Sequence, residues 1–152
     1  MVAFEGLAAP FMVATVLRGD SRPVRFAPGA FARAIKSGRV EAWLNHRPGR
    51  PLATQRDGTL GLAETSAGLS FWFCISEHSR ADMLRWAAEG GLLRGASVAW
   101  NPTTSSGRLV GDTLEITHCT LIEVSLITAP NTPQFPRTVA RLSTQRVERR
   151  SA

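Results

Sequence analysis

The spacing of apolar and polar positions divides the chain into short elements. Residues 11–17 are apolar with β-branched side chains and read as a strand, and Val24-Arg25-Phe26 alternates as a second. Residues 28–36 place Phe31 and Ile35 four apart on one face, with Pro28 suited to a first turn and Gly38 to a stop, so they read as a short helix. Residues 40–44 alternate as a strand ahead of Asn45-His46-Arg47-Pro48-Gly49, a loop by composition. Residues 60–64 and 69–76 read as a hairpin pair. The second is apolar nearly throughout, as in a strand covered on both faces. A second helix is expected to open at Ser79, where Ser79 and Asp82 have capping-box spacing. Met83, Trp86 and Ala87 make its inward stripe and Gly90-Gly91 ends it. Strands follow at 96–100, 109–116 and 119–128, the last closed by Pro130 and Pro133, with a polar loop at 101–107. Beyond Arg137 the apolar pattern thins, which predicts a loose tail or an isolated helix.

Seven or eight short strands with two helices between them make an α+β chain that is mostly β. The natural packing is a single antiparallel β-barrel or sandwich with two or more flanking helices. Two helices are too few to cover both faces of a parallel sheet. A length of 152 residues predicts one domain, assigned to residues 1–136, with a basic and flexible C-terminal tail at 137–152. The formal net charge is +6, and the tail holds five Arg against one Glu, so the body is close to neutral.

Cys74 and Cys119 form neither a disulfide framework nor a paired-cysteine zinc motif, and they read as buried thiols of a reducing compartment. Cys74, His78, His118 and Cys119 have spacings common by chance, and no phosphate loop or dinucleotide fingerprint is present, so the reading calls for no metal and no cofactor. The longest apolar run, residues 6–17, is interrupted by Pro10 and shorter than the roughly 18 residues that a bilayer needs. No basic residue precedes it, so a soluble, cytoplasmic protein without a membrane partner is expected.

Three positions carry candidate chemistry. His46 follows a strand end and precedes a Pro/Gly loop, so it is either an exposed loop histidine or an imidazole held rigidly at a cleft. Ser97 is the one polar side chain between Ala96 and Val98. It reads as a small residue bonded to a neighbouring carbonyl, or as a nucleophile that needs an adjacent base, with Gly95 and Ala96 leaving room for a substrate backbone. Glu123 lies in a strand apolar on both faces, so its carboxylate is enclosed and needs a partner. That partner is an arginine such as Arg94 or Arg25, or else an imidazole N–H that the carboxylate orients. His118, five residues before Glu123, falls on the opposite face of a regular strand, and His78 reads as exposed.

The order and spacing of several segments resemble one family. They are Pro28-Gly29-Ala30-Phe31, the strand ending in Asn45-His46, Pro51-Leu52-Ala53, Gly58-Thr59-Leu60, Ala67-Gly68-Leu69, Gly95-Ala96-Ser97-Val98 and Leu121-Ile122-Glu123-Val124-Ser125-Leu126-Ile127 with its closing Pro130. Together, over roughly residues 8–136, they resemble the prohead (procapsid maturation) proteases of tailed phages, whose fold is similar to the herpesvirus assemblin serine proteases. The resemblance implies a herpesvirus-protease-like fold with His46 as general base, Ser97 as nucleophile and Glu123 as the third member. His118 is the alternative third member, because the herpesvirus relatives use a second histidine on the corresponding strand. Arg47 stands where many members have an acid, and Ala99-Trp100 where they have Gly-Phe.

By the same resemblance the chain is a serine endopeptidase of capsid maturation in a bacteriophage or prophage. Its implied substrates are the scaffold segment of the major capsid protein and the protease itself, and its implied place is the assembling procapsid in the host cytoplasm. Dimerisation of the herpesvirus relatives implies a homo-oligomer. A non-catalytic capsid-assembly or scaffold protein retaining the fold is the rival reading. A nucleic-acid-binding barrel fits less well, since the chain has no Tyr and no strand interleaving Arg with aromatics, which leaves the basic tail as the one nucleic-acid contact.

Overall fold

A computed structural model describes residues 1–144, which form three four-stranded sheets and two helices. The first sheet contains β1 (Val2–Pro10), β6 (Leu60–Glu64), β7 (Gly68–Ile75) and β12 (Val139–Leu142), in the order β12-β1-β7-β6. The second contains β2 (Thr15–Val16), β3 (Pro23–Phe26), β9 (Ser106–Val110) and β10 (Thr113–His118), ordered β2-β3-β10-β9. The third is built from β4 (Glu41–Leu44), β5 (Ala53–Thr54), β8 (Leu93–Trp100) and β11 (Leu121–Thr128), ordered β5-β4-β11-β8. The helices are α1 (Ala32–Ser37) and α2 (His78–Glu89).

The chain is thus sheet-rich α+β, as the pattern predicts, with its strands in three sheets where one antiparallel barrel or sandwich is expected. None of the three sheets closes into a barrel. Two pairings are parallel, β3 with β10 and β4 with β11. Parallel neighbours need a long return path, and here some 80 residues of intervening chain supply it for β4 and β11.

The third sheet separates core from chemistry. Side chains alternate across a strand, so Ala42, Ala96, Val98, Val124 and Leu126 turn one way and are buried. Beneath them lies an aromatic cluster in which the Phe26 ring meets Phe31 at 4.9 Å, Trp100 at 5.1 Å and Phe135 at 5.2 Å between centroids. The intervening residues Ser97, Glu123 and Ser125 share the other face, and all three are buried as well.

Several local expectations change, and the strand expected at 109–116 is a hairpin of β9 and β10 turning at 111–112. Residues 2–10 form a complete strand, β1, with the predicted strand at 11–17 reduced to Thr15–Val16. Gly6 permits this, because a Cβ there would lie 1.8 Å from the Val139 carbonyl oxygen of the neighbouring strand. In α2 the buried residues are Ala81, Leu84 and Ala87, while Met83 and Trp86 are exposed. The helix packs through its small side chains, and its N-cap is Glu77 with no side-chain cap bond, so Ser79 falls inside the helix. Finally, 139–142 is neither tail nor isolated helix but β12, paired antiparallel with β1 from Phe4–Leu142 to Leu7–Val139. Residues 145–152, the second half of the predicted tail, lie outside the described residues.

Candidate active site

The site is assembled where β4 ends beside β11. At that point the backbone leaves the sheet through two left-handed residues, Asn45 at φ 51° and His46 at φ 59°. Each such non-glycine residue costs about 1–2 kcal/mol, and Asn tolerates the region better than most residues. Hydrogen bonds offset that cost. Asn45 N–H donates to the Leu126 carbonyl at 2.9 Å, and Arg47 N–H donates to the Leu44 carbonyl at 3.1 Å. The Asn45 side chain and Thr128 exchange two further bonds. His46 N–H donates to Ser125 Oγ at 3.0 Å.

This turn delivers the His46 ring to Glu123, whose Oε1 accepts from Nδ1 in a short hydrogen bond. An ionised carboxylate only accepts, so the proton of this bond sits on Nδ1, and in the neutral imidazole Nε2 is then the acceptor. Glu123 is fully buried, and its second oxygen accepts from Ser125 Oγ at 2.6 Å. The enclosed carboxylate is therefore satisfied by an imidazole and a hydroxyl, not by an arginine. Arg25 pairs with Glu115 instead, at 2.9 Å, and Arg94 is exposed and forms no ion pair among the described residues.

Ser97 lies in register with Ser125 across β8 and β11 and so on the same face as Glu123. Its hydroxyl is buried and unbonded; among the described residues no other buried side-chain nitrogen or oxygen lacks a partner. The neighbouring-carbonyl reading of Ser97 does not occur. The space beside Gly95 is taken by the chain itself and not left to a substrate. A Cβ there would meet Thr138 Oγ1 at 2.7 Å and Pro133 Cγ at 2.9 Å, and Thr138 Oγ1 accepts from Ala96 N–H.

A cleft of about 500 Å³ opens beside His46, bordered by Leu17, Arg18, Asn131 and Gln134. A second hollow of about 270 Å³ borders Val98, Ala99 and Trp100 and shares Leu17 and Gln134 with the first. A larger depression of about 660 Å³ lies over Glu5, Trp72 and Arg141 on the first sheet and contains none of the candidate residues.

His118 is not brought to this place. It ends β10 in the second sheet, is exposed, and borders a separate small hollow with Arg33 and Arg39. His78 is exposed on α2, where its ring pairs with Asp82. Cys74 and Cys119 are both free thiols, and no cluster of metal-ligating side chains occurs among the described residues.

The sequence reading missed Ser125, Asn45 and Thr128. For Ser125 a signal existed, because in Glu123-Val124-Ser125 the two-residue spacing puts serine and carboxylate on one face of a strand. For Asn45 and Thr128 none existed, since they lie 83 residues apart.

A buried carboxylate on an imidazole, on the same sheet face as a serine with an uncommitted hydroxyl, brings together the residue types that serine hydrolases use. The sequence profile of the caudovirus prohead serine proteases matches residues 3–150, nearly the whole chain, and the chain belongs to that family. Membership makes it, at the level of the family, a serine peptidase of capsid maturation acting in the assembling procapsid. Nothing among the curated proteins and nothing among the solved structures matches the chain. No helix of the described residues is long and apolar enough to cross a membrane.

Proposed function

We infer that the chain is a serine endopeptidase in which Ser97 attacks a peptide carbonyl of the capsid protein's scaffold segment, and of the protease itself. The observation that carries this reading is the His46–Glu123 hydrogen bond formed on the same sheet face as the unbonded Ser97 hydroxyl. His46 Nε2 takes the Ser97 proton as the Oγ–carbon bond forms. The same proton passes to the amine as the carbon–nitrogen bond breaks. Water, deprotonated by His46, then attacks the acyl carbon, and His46 returns that proton to Ser97 Oγ as the ester bond breaks. Glu123 holds the ring in the Nδ1–H tautomer and stabilises the imidazolium formed in each step. Nε2 and Ser97 Oγ are not hydrogen-bonded here, and such contacts often tighten only around bound substrate.

The test is co-expression with the major capsid protein, read by intact mass. A defined truncation that vanishes in Ser97→Ala and His46→Ala supports the reading. Glu123→Gln is expected to lower the rate by about 10⁴-fold, as for other carboxylates that fix the tautomer, and His118→Ala to leave it unchanged. A capsid protein that stays full length while particles form would replace this reading with the non-catalytic assembly role.

A further inference from the structure

Two serines face each other in this site with their hydroxyls in opposite states. Ser97 and Ser125 occupy one register position of the β8–β11 ladder, so both side chains leave the sheet on the same side. The Ser97 hydroxyl has no partner. The Ser125 hydroxyl has two: it donates to Glu123 Oε2 at 2.6 Å and accepts from His46 N–H at 3.0 Å.

These bonds close a ring. His46 N–H points to Ser125, the Ser125 O–H points to Glu123, and Glu123 accepts from the Nδ1–H of the same His46. His46 is therefore gripped at its main chain and at its ring by groups that are themselves joined. A closed circuit of donors fixes the carboxylate torsion and the imidazole plane together, where the His46–Glu123 bond alone would leave each free to rotate about the other. The circuit also distinguishes the two serines. The Ser125 proton is committed to a buried carboxylate, while the Ser97 proton is not.

We propose that Ser125 is a positioning residue of the peptidase reaction, holding Glu123 and the His46 main chain in one geometry and acting only through His46. The proposal rests on the catalytic reading of Ser97, His46 and Glu123.

The test compares Ser125→Ala with Ser125→Thr, which restores the hydroxyl. One arm needs no substrate: proton NMR of the His46 Nδ1–H, which a hydrogen bond to carboxylate carries to low field. The other separates kcat from KM for cleavage of the capsid protein. Ser125→Ala is expected to shift or lose the low-field signal and to lower kcat about 10- to 100-fold at unchanged KM, the size of one hydrogen bond to a charged group. Ser125→Thr is expected to recover both. Should Ser125→Ala not fold, Ser125→Cys, which fills the same space with a weak donor, gives the same contrast.

The proposal is overturned by an unmoved signal with kcat within twofold of wild type. It is also overturned if folded Ser125→Thr recovers neither readout. Wild-type protein that cleaves nothing, or Ser97→Ala that still cleaves, overturns the peptidase reading instead, and the NMR arm then still reports whether Ser125 orders the ring.

Discussion

Asn45 and Thr128 hold each other by reciprocal hydrogen bonds: Asn45 Nδ2 donates to Thr128 Oγ1 at 2.8 Å, and Thr128 N–H donates to Asn45 Oδ1 at 2.9 Å. The pair sits at the left-handed turn that aims His46, so one side chain answers both the backbone strain and the docking of the turn on β11. Asn45→Ala is expected to lose about 2–3 kcal/mol, from the left-handed penalty and the broken pair together. Asn45→Gly relieves the backbone term and should fall between Ala and wild type. Denaturant titration gives the order, and equal values for Ala and Gly would remove the backbone argument.

A chain ended at Thr138 tests the role of β12. Without it β1 loses its pairing from Phe4 to Leu7, together with the half-buried Ala140 and Leu142 that pack on the core. A loss of at least about 2 kcal/mol is expected from that apolar burial, seen as a lower Tm. An unchanged Tm would restore the loose-tail reading of this segment.

Glu115 predicts an acid-sensitive arm of stability remote from the site. Its buried carboxylate is held below the usual range first by hydrogen bonding to Arg108, then by Arg25, against the opposing effect of burial. A carboxyl with a lowered folded pKa contributes stability above its unfolded value near 4.5, and that contribution fades as pH falls through the folded value. Glu115→Gln should therefore be less stable at pH 7 and show a flatter loss below about pH 4.5. Parallel acid-unfolding curves for the two proteins would refute this.

The thiols should differ in reactivity. Burial pushes Cys119 up to about 12, and burial also raises half-buried Cys74. Thiolate is the reactive form, so iodoacetamide at pH 8 should leave Cys119 intact and modify Cys74 slowly, with both reacting once the chain is unfolded. Peptide mapping reads the result, and rapid native labelling of Cys119 would contradict its burial.

What the sequence made legible is what local pattern controls. β7 and the hairpin it forms with β6 follow their apolar runs, and α1 ends at Gly38 in the left-handed conformation that a stop requires. The enclosure of Glu123 followed from the apolar residues on both sides of it, but His46 as its partner followed only from the family resemblance, because that pairing is set by the parallel register of β4 and β11. β1 was hidden because Ala, Gly and Pro fill much of it, and its strand character comes from two neighbours distant in sequence. The burial of α2 misled because the largest apolar side chains, Met83 and Trp86, are on its outer face.

The parallel pairing of β4 with β11 has a consequence for synthesis. His46 and Glu123 are separated by 77 residues, and Ser97 lies between them. At roughly 5–20 residues per second, a ribosome takes about 4–15 s to travel from one to the other. Contacts this distant also form late in folding, after the loop-closure entropy has been met. On the proposed roles, a nascent chain carries its base and its nucleophile before the carboxylate that orients the base, so full activity waits until β11 has been made and paired with β4.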